Sequence, residues 1–154
     1  KSRLPIANWV VAFSMMPEEL AKRLDKRAPS IKRRINTIEK LAARGWPIGL
    51  RFDPLIYSKD WKQQYTRLLM EIMHRVPREA IHSISHGPLR YPKKMYQDIT
   101  KLYPEELLFS LPMSENNGYV DYGVDVENEM AEFLIKNLKN YVEETKLFQC
   151  VVQT

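Results

Sequence analysis

Apolar residues follow two rhythms along the chain. The runs at 7–15 (ANWVVAFSM), 47–52 (PIGLRF) and 80–85 (AIHSIS) are rich in β-branched and aromatic residues and predict short buried strands. After the first run, Ile31, Ile35, Ile38, Leu41 and Ala42 recur at helical spacing. After the second, Trp61, Tyr65, Leu68, Leu69, Ile72, Met73 and Val76 form a wider helical stripe. A third helix over 93–102 is expected to bury Met95, Ile99 and Leu102. Punctuation agrees with these bounds: Pro29-Ser30 opens the first long helix and Gly45 closes it, Asp60 stands as N-cap before Trp61, and Pro77 stops the second. Strand and helix alternate three times. Right-handed crossovers then predict a parallel α/β sheet, with helices near 30–44, 60–76 and 92–102 on one face.

The pattern changes after residue 104. Leu107–Leu111 reads as a further strand. Ser114–Asp125 is polar, with a turn signal at Asn117-Gly118, and predicts a hairpin or protruding loop. A long helix follows from about Val126 to Glu144, and Lys146–Val152 closes as a strand with Cys150 in the core. The chain is therefore divided into three β/α units over 1–104 and a segment of hairpin, helix and last strand over 105–154.

The stretch Gly49–Trp61 (GLRFDPLIYSKDW) is the hinge of this plan. Its strand is expected to stop at Asp53-Pro54, because proline cannot donate to a ladder. In parallel α/β folds chemistry collects at the carboxyl ends of strands. Ser14, Asp53 and the loop His86–Pro92, with Arg90 and Tyr91, stand at such ends. Each has a plainer reading: Ser14 and Asp53 as turn residues, Arg90 as one half of an ion pair. Lys32, Arg33 and Arg34 crowd the first turn of a helix, where the macrodipole disfavours cations, so at least one is expected to find Asp25 or an anion. His82 and His86 are four apart but lie on a strand and the loop after it, so their spacing carries no metal signal.

Composition narrows the class. At 154 residues and 44% hydrophobic the chain is one domain's worth, and no apolar run is long enough to span a membrane. The single cysteine excludes a disulfide framework and points to a reducing, cytoplasmic compartment; it cannot alone ligate zinc or an iron–sulfur cluster. Residues 1–104 carry 21 Lys/Arg against 9 Asp/Glu, a balance of +12, whereas 105–154 carry 3 against 10, a balance of −7. The basic body suits a polyanion such as nucleic acid, or is an ordinary solvated surface. A strand almost at the first residue, with no initiating methionine, suggests a piece of a longer protein.

An ordered series of short matches carries a resemblance: Phe13-Ser14 followed by Pro17-Glu18-Glu19, Ala28-Pro29-Ser30-Ile31 with Arg34-Ile35, Gly45–Gly49 (GWPIG), Arg51–Tyr57 (RFDPLIY) with Trp61, and Gly87–Pro92 (GPLRYP). Together they resemble the spore photoproduct lyase family of radical S-adenosylmethionine enzymes. The resemblance implies the second half of a partial, TIM-like (β/α) barrel, plus a C-terminal substrate-facing segment. It implies S-adenosylmethionine and a [4Fe–4S] cluster as cofactors, a 5′-deoxyadenosyl radical as hydrogen abstractor, and a pyrimidine photoproduct in DNA as substrate. The cluster cysteines would lie upstream, so the chain alone is expected to be inactive and to need the N-terminal half of the barrel as its partner. By the same resemblance, Ser14, Lys1 and Asp53 contact S-adenosylmethionine, and Asp25 and Arg34 form an ion pair bracketing it. Arg90 and Tyr91 face substrate, with Tyr119 and Tyr122 of the hairpin segment beside them. The chain departs from the family at Met15 and Met16. It also carries Glu115, Asp121 and Asp125 where the type member has a basic hairpin. Those acids favour a second reading, radical chemistry on a non-DNA substrate; a third is a non-enzymatic α/β binding module.

Overall fold

The computed structural model describes residues 4–6, 8–111 and 113–150. Four parallel strands form its main sheet, in the order β1 (Val11–Ser14), β2 (Ile48–Leu55), β3 (Ile81–Pro88) and β7 (Leu147–Gln149). Helices α1 (Glu18–Leu24) and α2 (Ile31–Ala42) connect β1 to β2, and α3 (Trp61–Arg75) connects β2 to β3. The return to β7 is made by α5 (Val124–Leu138).

Alternation along the strands separates two faces. Ile48, Leu50 and Phe52 of β2 and Ile81 and Ile84 of β3 point to the helices. There they meet Ile31, Ile35 and Ile38 of α2, Tyr65, Leu69 and Ile72 of α3, and Met130, Leu134 and Leu138 of α5. The opposite face carries Ala12, Ser14, Arg51, Ser83 and Ser85, and among the described residues no helix covers it. The start of α2 repays its cationic first turn: Ser30 Oγ accepts from the Arg33 N–H at 3.3 Å, and Glu18 Oε2 accepts from the Ile31 N–H at 3.0 Å. Asp60 takes the N-cap position of α3, but its side chain makes no capping bond.

Several elements depart from the sequence expectation. β2 does not stop at Asp53-Pro54. The ladder slips between Phe52 and Leu55, where Pro54 cannot donate, and then resumes with Leu55 opposite Pro88. Residues 107–110 form a 3-10 turn rather than a strand, with Glu106 accepting from the Leu108 N–H at 3.2 Å. The long helix ends at Leu138, well before Glu144. The expected end of the last strand beyond Cys150 lies outside the described residues.

The largest difference concerns α4 (Lys93–Leu102). It lies on a separate antiparallel sheet of β4 (Arg90–Pro92), β6 (Tyr119–Asp121) and β5 (Ser114–Asn116), in that order, instead of on the main sheet. Met95 and Leu102 are consequently 49% and 72% exposed. α5 occupies the place on the main sheet that the sequence suggested for α4. The hairpin β5–β6 turns at Asn117 and Gly118, both at positive φ (+49° and +79°), as a two-residue turn requires. Leu20, Ile56, Leu89, Leu108 and Tyr122 form a second small core that fastens this unit to the carboxyl end of the main sheet.

Candidate functional site

The helix-free face and the carboxyl ends of the strands meet in one polar patch. Its inner wall is made of small residues: Ala12, Gly49 and Ser83 are in register across β1–β3, and Ser14, Arg51 and Ser85 form the next row. Asp53 lies one step beyond. Its Oδ2 accepts from Ser85 Oγ at 3.1 Å and from Cys150 Sγ at 3.0 Å. Gly87 fills the space between these groups. A Cβ there would stand 3.1 Å from the Cys150 Cβ and 3.6 Å from the Asp53 Cβ, so a side chain would push the Asp53–Cys150 pair apart. The Cys150 backbone N–H donates to His86 O at 2.7 Å, which fixes the thiol over the end of β3. The Asp53 carboxylate that it faces pushes the Cys150 thiol upward in pKa, helped by burial and opposed by the Ser85 hydroxyl and the Arg51 charge.

Ser14, the last residue of β1, and Asp53, at the slip in β2, therefore stand toward the same carboxyl edge of the sheet. Asp25 and Arg34 form their ion pair. Arg34 is nonetheless committed to the chain itself: it is 8% exposed, with Nε donating to Pro29 O at 2.9 Å and Nη1 to Ser14 O at 2.8 Å. It acts as a strut holding the end of β1 to the loop before α2. Beside it, Ser14, Asp25 and Pro29 line an open groove of about 420 Å³. Lys1 lies outside the described residues.

The substrate-side candidates separate. Arg90 Nη2 donates to Glu127 Oε2 at 2.9 Å, the plainer of its two sequence readings, and it shares a cavity of about 220 Å³ with Tyr119, Asp121 and Glu127. Tyr91 turns its ring toward Tyr96 and Phe109, with centroids 6.1 and 6.2 Å away. Tyr122 is 5% exposed, and its hydroxyl accepts from the Tyr57 N–H at 3.2 Å, so it presents no ring face to a base. One residue earlier, the Tyr65 hydroxyl accepts from the Ile56 N–H at 2.9 Å. Two buried phenols thus pin the loop that follows Asp53-Pro54.

Cys150 was expected in the core and is instead exposed at the sheet's carboxyl edge. Arg51, Ser85 and Gly87 were not among the individual site residues read from the sequence. The signal for the first two is the strict alternation Leu50-Arg51-Phe52-Asp53 and Ser83-Ile84-Ser85, which puts a polar residue on the same face at every second step.

A parallel β/α sheet with one helix-covered face, one open face and its polar groups at the carboxyl edge is a wall of a (β/α) barrel. The family model for spore photoproduct lyase matches residues 8–148, and the chain belongs to that family. It is 24% identical over 143 residues to the spore photoproduct lyase of Clostridium acetobutylicum, covering 85% of this chain and 41% of that one. It is 24% identical over 98 residues to the Bacillus subtilis (strain 168) enzyme, covering 62% and 29%. The chain thus spans less than half the length of these relatives. Among solved structures, a spore photoproduct lyase variant with bound AdoMet and dinucleoside spore photoproduct superposes with TM-score 0.71 at 15% identity, over 94% of this chain and 44% of that one. A spore photoproduct lyase complexed with dinucleoside spore photoproduct gives 0.70 at 15% identity, over 91% and 43%.

The donor set fits one of the two cofactors that the family implies. Asp53, Ser14 and Ser85 offer hydroxyls and a carboxylate for an amino acid or ribose group, over a wall of small residues that leaves room for it. An iron–sulfur cluster finds no ligands here: Cys150 is the one cysteine of the chain, and among the described residues no group of three or more His, Cys, Asp or Glu is placed to hold a metal.

Proposed function

We propose that this chain forms the cofactor- and substrate-facing wall of a radical S-adenosylmethionine enzyme acting on a pyrimidine photoproduct in DNA. The observation that carries the reading is the convergence of Ser14, Asp53, Ser85 and Cys150 on one carboxyl edge, above an inner face of small residues. The bound AdoMet and dinucleoside photoproduct in the solved relatives support it. When bound, the cofactor with its cluster supplies hydrogen-atom abstraction, and the cluster's ligands belong to the barrel half outside these residues. In this chain, Asp53 binds a ribose hydroxyl or amino group through Oδ1, since Oδ2 is shared by Ser85 and Cys150. Ser14 lines the same edge, and Arg34 positions it. Arg90 and Tyr119 face the nucleic acid from the small sheet. The compartment we propose is the cytoplasm, which suits a chain whose single cysteine can form no disulfide within it.

A second reading, the same chemistry on a non-DNA substrate, is favoured by one observation: Arg90 and Lys93 both spend their charge on carboxylates, Glu127 and Glu115.

The cofactor part is tested by Asp53→Ala in the full-length protein, with S-adenosylmethionine binding followed by calorimetry. Losing a charged hydrogen bond costs about 1.5–3 kcal/mol, roughly ten- to a hundredfold in affinity. An unchanged affinity would leave Asp53 as a strand-end residue without a cofactor role.

A further inference from the structure

Among the described residues, four ion pairs join the basic part of the chain to the acidic part. Arg23, in the last turn of α1, pairs with Glu106. Lys62, in the first turn of α3, pairs with Glu129 of α5. Arg90 on β4 pairs with Glu127 at 2.9 Å, and Lys93 at the start of α4 pairs with Glu115 of the hairpin at 2.8 Å. In chain order each cation follows the carboxyl end of β1, β2 or β3, the end of the main sheet at which the candidate site stands, and we take these cations as its rim. Each carboxylate comes from residues 105–138, within the segment whose balance is −7 against +12 for the rest. The other ion pairs of the described residues, such as Arg75–Glu39 and Arg67–Glu19, lie within the basic part.

We infer that the acidic segment is a built-in counter-ion for the rim: Glu106, Glu115, Glu127 and Glu129 occupy cations that a nucleic-acid backbone would otherwise take, and DNA binds by displacing them. This rests on the DNA reading above. The pairs are suited to displacement. Lys62 and Glu129 are 57% and 51% exposed and Lys93 and Glu115 are 49% and 51% exposed. Exposed pairs of this kind hold together by about 1 kcal/mol or less. Glu127 is the most enclosed of the four, with its side chain 11% exposed, so its pair with Arg90 is the least screened by solvent, although its Oε1 is buried without a hydrogen-bond partner. Displacement also changes the salt dependence. A phosphate meeting a bare lysine or arginine releases a counterion to solution. A phosphate that evicts a carboxylate leaves that carboxylate to collect a cation again, so the net release at that contact shrinks. The wild-type rim should then bind DNA weakly and with a shallow salt slope, favouring a substrate with further contacts inside the barrel over undamaged backbone.

The experiment compares two variants of the full-length protein with equal charge change. In one, Glu106→Gln, Glu115→Gln and Glu129→Gln open three rim pairs while leaving the enclosed Glu127 in place. In the other, Glu132→Gln, Glu143→Gln and Glu144→Gln neutralise exposed acids that hold no rim cation. Binding of a fluorescein-labelled mixed-sequence DNA duplex is followed by anisotropy over a salt series. The rim variant should bind more tightly, by up to about fivefold per opened pair, with a slope of log affinity against log salt steeper by about two to three. The control should keep the wild-type slope. Equal steepening in both variants would mean general repulsion and overturn the counter-ion role. An unchanged slope in the rim variant, with DNA still bound, would overturn it and leave the DNA reading standing. No binding by wild type or either variant, even at low salt, would overturn both.

Discussion

His86 sits at the border between core and site. On the helix side of β3, opposite Phe52, it is 3% exposed. Burial lowers its pKa from the ordinary 6.5, while the Asp53 carboxylate pulls the other way. The unfolded chain therefore takes up this proton at a higher pH than the folded one, and stability rises with pH through that window. Stability from this residue is complete above about 6.5 and declines as the pH falls below it. Urea unfolding at a series of pH values down to mildly acidic conditions should show that decline in the wild type and a flatter profile in His86→Gln. Parallel profiles would assign the loss to other groups. At this scale the sequence was legible in position: Ser14 and Asp53 stand toward one edge of the sheet, as expected, and the partner expected for the cationic first turn of α2 proved to be Asp25. Cys150 was not legible, because its neighbours Asp53 and Gly87 are distant in sequence and meet it only when β7 docks beside β3. Tyr122 misled for the converse reason: a tyrosine in a polar hairpin segment carries no sign that a buried backbone N–H, here that of Tyr57, is waiting for its hydroxyl.

Among the elements, β2 and β3 could be read most fully, since period-two alternation names both their buried face and their open one. α4 could not. Its stripe of Met95, Ile99 and Leu102 shows that one side is apolar, but not which surface it meets. Two amphipathic helices, α4 and α5, competed for one place on the sheet, and α5 brings Met130, Leu134 and Leu138 to it. The proline in β2 was over-read, because the missing donor interrupts the ladder for one step without ending the strand. The packing of β7 on β3 gives an element-scale test. Gly87→Ala would put a Cβ 3.1 Å from the Cys150 Cβ and 3.4 Å from its carbonyl oxygen. The end of β7 must move outward to accept it. Overpacking of this kind costs about 1–3 kcal/mol, to be read as a lower urea midpoint at unchanged m-value. An unaltered midpoint would show that the segment after β7 yields without cost.

Over the whole molecule, the two features that matter most are the split of charge, plain in the sequence, and the open edge of the sheet, which follows from strand order alone. β1 pairs with β2 on one side, and among the described residues nothing pairs with it on the other. The N–H groups of Val11 and Met15 donate to Pro47 and Arg51 at 2.9 and 2.8 Å. Alternation then turns the N–H groups of Ala12 and Ser14 outward. The Ser14 carbonyl points the same way and is capped by Arg34 at 2.8 Å, which blunts an edge that would otherwise invite pairing with another chain. In the proposed barrel this edge receives the preceding parallel strand. Amide hydrogen exchange reads the difference directly. In the 154-residue chain, Val11 and Met15 should be protected and Ala12 and Ser14 should exchange near the rate of unstructured peptide. In the full-length protein, Ala12 and Ser14 should gain protection while Val11 and Met15 keep theirs. Protection of all four in the isolated chain at high concentration, lost on dilution, would mean that a second copy takes the edge instead. Fast exchange of Ala12 and Ser14 in the full-length protein would remove the neighbouring strand, and with it the barrel.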